Sequence, residues 1–348
     1  MRKLALLIVL LILAAGAAWM FFSSRTREPY RGYTGAEQFV DIPPGATTKT
    51  IGRLLVASGV IRDTPTYRLA LWMSGRARNL KAGEYRFEWP MTPLDVVGKI
   101  ARGEVYAIPL TIPEGLTIGE IAAIFESQGF GTRAEFVEAA KNTALVRAFD
   151  PAARDLEGYL FPETYALSRH ANAADLVRLM VDQFKRAFTP DVQRAAEAQG
   201  LTVPAAVILA SLVEKETARP EERPVVAAVY QNRLRIGMAL QCDPTVIYAL
   251  LRQGRYTGNL RREDLAYDSP YNTYRYAGLP PGPIAAPGKA ALDSAVHPAH
   301  ADYLYFVSRN DGSHEFARTL SEHNRNVQKY QVQYYRSPHL SFSRRTSK

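Results

Sequence analysis

Two glutamates close the most apolar internal stretch of the chain. Residues Thr202 to Thr217 read TVPAAVILASLVEKET, with Glu214 and Glu216 at the end. Thr202 followed by Pro204 starts a helix, and the apolar run behind them predicts that the helix is buried in a core. Two positions apart on a helix is about 200° of rotation, so the two carboxyls face nearly opposite ways and cannot act as a pair on one substrate atom. Glu216 continues the bulky stripe of Ala205, Leu209, Leu212 and Val213, whereas Glu214 continues the smaller face of Val207, Ala210 and Ser211. A carboxyl at the end of an apolar stripe is partly desolvated. Its pKa rises, and it keeps the proton that a general acid for a glycosidic oxygen needs near neutral pH. Glu216 is therefore the catalytic candidate and Glu214 the alternative. A solvated EKE helix ending accounts for the same residues without chemistry, and spacing alone does not separate the two accounts.

Two more segments carry candidate residues. In Leu240–Tyr248, LQCDPTVIY, the Asp243-Pro244 pair is a helix start, and capping alone accounts for Asp243. Capping does not account for Gln241. The stretch Ser269–Gly288, SPYNTYRYAGLPPGPIAAPG, is too rich in proline and glycine for helix or strand and long for a connector, which favours a binding loop. Tyr271, Tyr274 and Tyr276, with Asn272, offer the stacking faces and amide donors that suit a sugar. A rigid packing loop is the competing account. The chain has no HExxH and no GxGxxG; His297 and His300 form only HPAH, and Gly282–Ala290 departs from phosphate-loop spacing. No metal and no cofactor is expected.

These residues sit on a mainly helical frame. Helices are predicted at 117–128, 133–141, 173–188, 190–199, 203–218, 223–236 and 244–252, with another from about 321. Strands are predicted at 303–309 and 314–319, on either side of the hairpin signal Asn310-Asp311-Gly312. Earlier in the chain a pattern recurs at an offset of 70: Gly45 matches Gly115, Thr47 matches Thr117, Ile51 matches Ile121 and Gly59 matches Gly129. Each copy reads as a strand, a Pro-Gly turn, a Thr-initiated helix and a Gly stop. Duplication and a common local solution reached twice explain this equally well. Between the copies, 83–87 reads as a strand and Thr92-Pro93 starts a helix ending at Gly103.

Arg2 and Lys3 precede an uncharged run from Leu4 to Phe22, about 28 Å of helix and close to the thickness of a hydrocarbon core. The run continues through Trp19, Met20, Phe21 and Phe22 beyond the small residues at 14–18, so an uncleaved anchor is expected rather than a signal peptide. Basic residues on both flanks leave the orientation open. The 348 residues include 43 Lys and Arg against 34 Asp and Glu, a net charge of +9 that suits anionic surroundings. The basic residues are scattered and no nucleic-acid motif accompanies them, so no nucleic acid partner is expected. Cys242, the single cysteine, has no partner in the chain for a disulfide.

Taken together, the motifs KAGEYRF (81–87), EGYLFPETY (157–165), SLVEKET (211–217), NRLRIGMALQCDPTVIYAL (232–250), SPYNTY (269–274), GLPPGPI (278–284), HPA (297–299) and YLYFV (303–307) make the chain resemble the endolytic murein transglycosylases of the YceG-like family over about residues 39–335. The resemblance implies an α+β protein. It would have a short cytoplasmic end (1–3), a transmembrane anchor (4–22), a linker (23–38), a small LysM-like module (39–108), a mainly helical lysozyme-like catalytic domain with a β-hairpin (109–335) and a disordered basic tail (336–348). It implies a single-pass inner-membrane protein whose catalytic domain is periplasmic. That domain would cut the MurNAc–GlcNAc bond of nascent peptidoglycan strands without water, leave 1,6-anhydro ends and act as a terminase of glycan elongation. Partners would be glycan strands, inner-membrane lipid and peptidoglycan synthases. The family's glutamate maps onto EKE and is assigned to Glu216, because Glu216-Thr217 also looks like the Glu-Ser pair of related transglycosylases. Gln241, Asn272 and Tyr274 fall on motif positions as substrate contacts. Cys242 departs from the pattern, standing where a small hydroxyl residue is expected. A hydrolytic muramidase, with Glu163 as second carboxylate, and a non-catalytic peptidoglycan-binding scaffold are the competing functions.

Overall fold

The computed structural model describes residues 2–334. The basic tail expected at 336–348 lies outside them. The chain divides between Ile108 and Pro109 into two units, each with its own core.

Unit 1 begins with helix α1 (Arg2–Arg25), whose stretch Leu6–Arg25 is long and apolar enough to cross a membrane and has no buried residue. Strand β1 (Gln38–Ile42) pairs antiparallel with β2 (Gly83–Phe87), Gln38 opposite Phe87 and Ile42 opposite Gly83. Helices α2 (Thr48–Ala57) and α3 (Thr64–Ser74) connect them, and α4 (Pro93–Arg102) follows, stopped by Gly103 in the left-handed region. Ile42, Leu55, Tyr85, Phe87, Val97 and Ile100 form the core. The sequence pattern does not predict helix α3. Its inner face of Tyr67, Ala70 and Leu71 is followed directly by Trp72 and Met73, so the apolar pattern runs round the helix and loses its period. The segment 23–38, expected as a linker, makes contacts in its first part. Helix α1 continues to Arg25, Thr26 is fully buried, Tyr30 N–H bonds Met91 O at 3.0 Å and Gly32 N–H bonds Gly59 O at 2.8 Å. The first part of that segment is fastened to unit 1.

Unit 2 opens with β3 (Ile108–Thr111), then α5 (Ile118–Ser127) and α6 (Arg133–Ala139); β4 (Thr164–Leu167) pairs with β3. Helices α7 (Ala173–Ala187), α8 (Pro190–Ala198), α9 (Val203–Glu216), α10 (Arg223–Arg235), α11 (Asp243–Leu251) and α12 (Lys289–Val296) follow, then the hairpin β5 (Tyr305–Ser308)–β6 (His314–Ala317) and α13 (Leu320–Val327). The offset-70 pattern is a structural repeat. Gly45 and Gly115 turn at φ 77° and 75°, which a side chain would strain, and Thr47 and Thr117 cap α2 and α5.

Glu157, from EGYLFPETY, joins two of these helices. Its carboxylate accepts Ile118 N–H, at the start of α5, at 3.1 Å and the hydroxyl of Tyr248, on α11, at 3.1 Å. Burial pushes its pKa from 4.5 up to about 8, against the pull of those two donors. The fold therefore binds a proton that the unfolded chain releases near pH 4.5. That stabilising contribution is complete at low pH and is lost as pH rises towards 8. Glu157→Gln keeps an acceptor for Ile118 N–H and removes the titration. Its melting temperature is expected to fall less than that of the wild type between pH 5 and 8 in thermal scans, and parallel profiles would refute the assignment.

Candidate active site

Helix α9 is held so firmly that its last turn has little freedom. Thr202 Oγ1 caps it by accepting Ala205 N–H at 3.3 Å, and every residue from Ala206 to Val213 is buried. Ser211 Oγ accepts Ile284 N–H at 3.1 Å, tying the proline-rich loop to the helix. The two glutamates then diverge. Glu214 Oε1 accepts from Arg223 Nη2 at 3.2 Å and Oε2 from Gly288 N–H at 2.9 Å, so its carboxylate joins α9 to the starts of α10 and α12. Glu216 turns the other way. Its Oε2 accepts from the Tyr230 hydroxyl at 2.9 Å and from Cys242 Sγ at 3.6 Å, while Oε1 has no hydrogen bond among the described residues.

Burial raises the pKa of both glutamates, so titration does not tell them apart. Their surroundings do. At Glu216 the Asp243 carboxylate adds to the rise, while the Tyr230 hydroxyl and the His314 ring oppose it. Glu216 lines a groove of about 290 Å³ together with Arg233, Gln241, Asp243, Tyr274 and His314. Glu214 is not part of it. Larger cavities in unit 2, of about 430 and 510 Å³, flank Asp155 and Glu157 and contain neither Glu216 nor any of its groove partners.

Of the expected contact residues, Gln241 and Tyr274 line the groove. Gln241 has φ 50°, uncommon for a side-chain-bearing residue, and its N–H bonds Thr273 O at 3.1 Å. Asn272 is not among the residues that line the groove. It is fully buried, with Nδ2 donating to Leu265 O at 3.0 Å and Tyr267 O at 2.7 Å and Oδ1 accepting Tyr274 N–H at 2.9 Å. Both Nδ2 hydrogens and one lone pair of Oδ1 go to backbone groups of the loop, so in this structure Asn272 positions Tyr274. Tyr271 lines the 430 Å³ cavity instead, and Tyr276 is exposed and donates to Asp268 at 2.7 Å. Glu163 is exposed and outside the groove.

Asp243 is also reassigned. The residue in the cap position of α11 is Cys242, with no side-chain cap bond, and Asp243 is the first helical residue, accepting the Tyr274 hydroxyl at 2.5 Å. An Asp-Pro pair reads the same in sequence whether the carboxylate turns back to the helix or out to a groove. The turn signal at 310–312 predicts the hairpin as an element but not as a wall of the groove, which Phe306, Val307 and Ser308 help to form. Arg233, buried, donates to Leu304 O at 2.6 Å and Leu240 O at 2.7 Å and so fixes that wall to α10. His314 Nδ1 meets Glu222 Oε2 at 2.7 Å, and Thr217 Oγ1 meets the same oxygen at 3.2 Å. Partners 92 residues apart leave no local pattern to read. Among the described residues no three His, Cys, Asp or Glu side chains come together as metal ligands.

Comparison with known proteins gives a consistent set of relatives. Residues 40–329 match the YceG-like family. A Bacillus subtilis protein named endolytic murein transglycosylase is 30% identical over 334 residues, covering 91% of each chain. A Streptococcus pneumoniae protein of the same name is 32% identical over 83% of this chain, which spans 57% of the length of that relative. A crystal structure of a YceG-like protein from Listeria monocytogenes superposes with a TM-score of 0.57 at 30% identity, covering 84% of this chain and 99% of the other.

The contrasting partners of the two glutamates lead to opposite expectations for stability. Glu214→Gln sets an amide NH₂ against one of two buried donors and is expected to cost about 2 kcal/mol in urea unfolding. Glu216→Gln keeps an acceptor for Tyr230, removes a carboxyl from a desolvated site and is expected to leave stability equal or higher. The reverse order would mean that the two roles are exchanged.

Proposed function

This chain belongs to the YceG-like family, and we propose that it is a membrane-anchored endolytic murein transglycosylase in which Glu216 is the acid and base. The observation that carries the proposal is the one-sided bonding of Glu216: both donors, Tyr230 and Cys242, meet Oε2. The proton of the neutral carboxyl therefore sits on Oε1, which is left to the groove. The names of the Bacillus and Streptococcus relatives support the substrate class and reaction type.

The reaction needs no water. Glu216 Oε1 gives its proton to the oxygen of the MurNAc–GlcNAc β-1,4 bond as the bond from that oxygen to MurNAc C1 breaks. The resulting carboxylate then takes the proton of the MurNAc C6 hydroxyl while O6 bonds to C1. The products are a 1,6-anhydro end and a free hydroxyl on the leaving strand, and Glu216 is again neutral. Gln241 and Tyr274 contact the sugar, and Asn272 and Arg233 hold the loop and the wall on either side. Unit 1, over residues 39–108, is a LysM-like module that positions a glycan strand, and unit 2 is lysozyme-like. Helix α1 is the single span in the inner membrane, with the rest of unit 1 and all of unit 2 in the periplasm, where the enzyme ends elongation of nascent strands beside peptidoglycan synthases.

Asp243 keeps a hydrolytic reading in view, since it is a second carboxylate in the groove and could activate water there. Digestion of uncrosslinked glycan strands followed by mass spectrometry separates the two: anhydro ends are expected, and reducing ends would assign a muramidase. Glu216→Gln is expected to lower the cutting rate by about 10²–10⁴-fold with the fold intact. Because burial raises the pKa of Glu216, the wild-type rate should hold through the ordinary carboxylate range and fall at higher pH as the acid loses its proton. A Gln variant that cuts at the wild-type rate would remove Glu216 from the mechanism.

A further inference from the structure

Unit 1 carries a groove of its own, far larger than a single side chain leaves. It encloses about 590 Å³ and is lined by Lys49, Tyr67, Arg68, Leu71 and Trp72 among others. Trp72 is 70% exposed, and its ring packs edge to face on Trp19 of α1, with centroids 5.8 Å apart. Most of the indole is bare.

The position of Trp19 fixes what the bare ring faces. Its helix cannot swing it away from α3, because the end of α1 is fastened to unit 1. Arg25 Nη1 pairs with Asp63 Oδ2 at 3.3 Å, Thr26 Oγ1 meets Met73 Sδ at 3.7 Å, and Thr26 O accepts Leu94 N–H at 3.4 Å. The apolar run ends at Phe22, three residues beyond Trp19 and about 4.5 Å further along the axis. A ring in contact with Trp19 therefore lies at the depth where indoles collect between hydrocarbon and headgroups. An indole suits that layer, since its body is apolar and its N–H needs a polar partner. Lys49 and Arg68 open on the same groove, are exposed, and have no ion-pair partner among the described residues.

We propose that α3 is a second membrane contact, in which Trp72 inserts at headgroup level beside Trp19 while Lys49 and Arg68 take the phosphates of anionic phospholipids. The proposal rests on the reading of α1 as a membrane span. Unit 1 then lies on the bilayer surface instead of hanging from the anchor. The long stems of Lys49 and Arg68 can follow the apolar layer while their charges reach the phosphates, and an anionic leaflet attracts basic side chains at this distance.

The test uses the full chain with W19F and W89F, which leaves Trp72 as the only tryptophan of the three. It is reconstituted in phosphatidylcholine vesicles, with and without phosphatidylglycerol, containing lipids brominated near the headgroup. Blue-shifted emission, severalfold quenching by brominated lipid and protection from acrylamide are expected. K49Q/R68Q should weaken that quenching, most clearly in the vesicles with phosphatidylglycerol. Water-like emission, quenched by acrylamide and not by brominated lipid, in protein that survives an alkaline wash of the vesicles would overturn the proposal and leave the anchor standing. Protein removed by that wash would overturn both. Protection of Trp72 by added glycan strands, without brominated-lipid quenching, would assign the groove to glycan and overturn the lipid contact.

Discussion

The hydrogen bond from the Tyr230 hydroxyl to Glu216 Oε2, 2.9 Å long, is the interaction on which the arrangement of unit 2 depends. A carboxyl at the end of a buried helix has two alternatives, to turn out into water or to be held inside by donors that favour its charged form. Tyr230 and Cys242 hold it by one oxygen only, and burial outweighs them in the balance that sets its pKa. The neighbouring elements follow from this. Helix α10 must bring Tyr230 alongside the end of α9, the turn before α11 must bring Cys242 in from the other side, and the hairpin must cover the groove without closing on Oε1.

Much of this frame was legible in the sequence, because the signals concerned are local. The Thr caps at 47, 92, 117 and 202 start helices where they were expected, and Asn310-Asp311-Gly312 joins the two hairpin strands. The opposed facing of Glu214 and Glu216 follows from helical rotation alone, and the structure gives the two carboxylates separate partners. What sequence could not supply is the direction in which a polar side chain turns when two destinations suit it equally. Asn272 has the composition of a sugar contact and is turned to three backbone groups around it. Asp243 has the position of a cap and is turned to Tyr274.

Cys242 shows how a residue that sequence leaves inconspicuous acquires meaning from geometry. In sequence the thiol is a near-isosteric replacement for a hydroxyl. In the fold its Sγ lies 3.6 Å from the oxygen of Glu216 that Tyr230 also bonds. A thiol donates more weakly than a hydroxyl, so it stabilises the carboxylate less and leaves more of the holding to Tyr230. Its own proton is secure, since burial lifts the Cys242 pKa well above the ordinary thiol value. A thiol here therefore favours the protonated acid more than a hydroxyl would, and that is the form in which the proposed reaction starts.

The places where local pattern and structure disagree are not scattered. Gln241 takes a strained backbone at the rim of the groove, Asp243 leaves its helix end uncapped, and α3 carries Trp72 and Met73 outside its apolar face. A fold selected for stability alone would have no reason to keep any of these. The first two lie at the proposed reaction site. Met73 receives the hydroxyl of Thr26 just beyond α1, and Trp72 meets Trp19 with the two rings nearly perpendicular. The lost periodicity that hides α3 from sequence reading thus goes with its contact with α1, which sets Trp72 and Met73 outside the packed face of the helix.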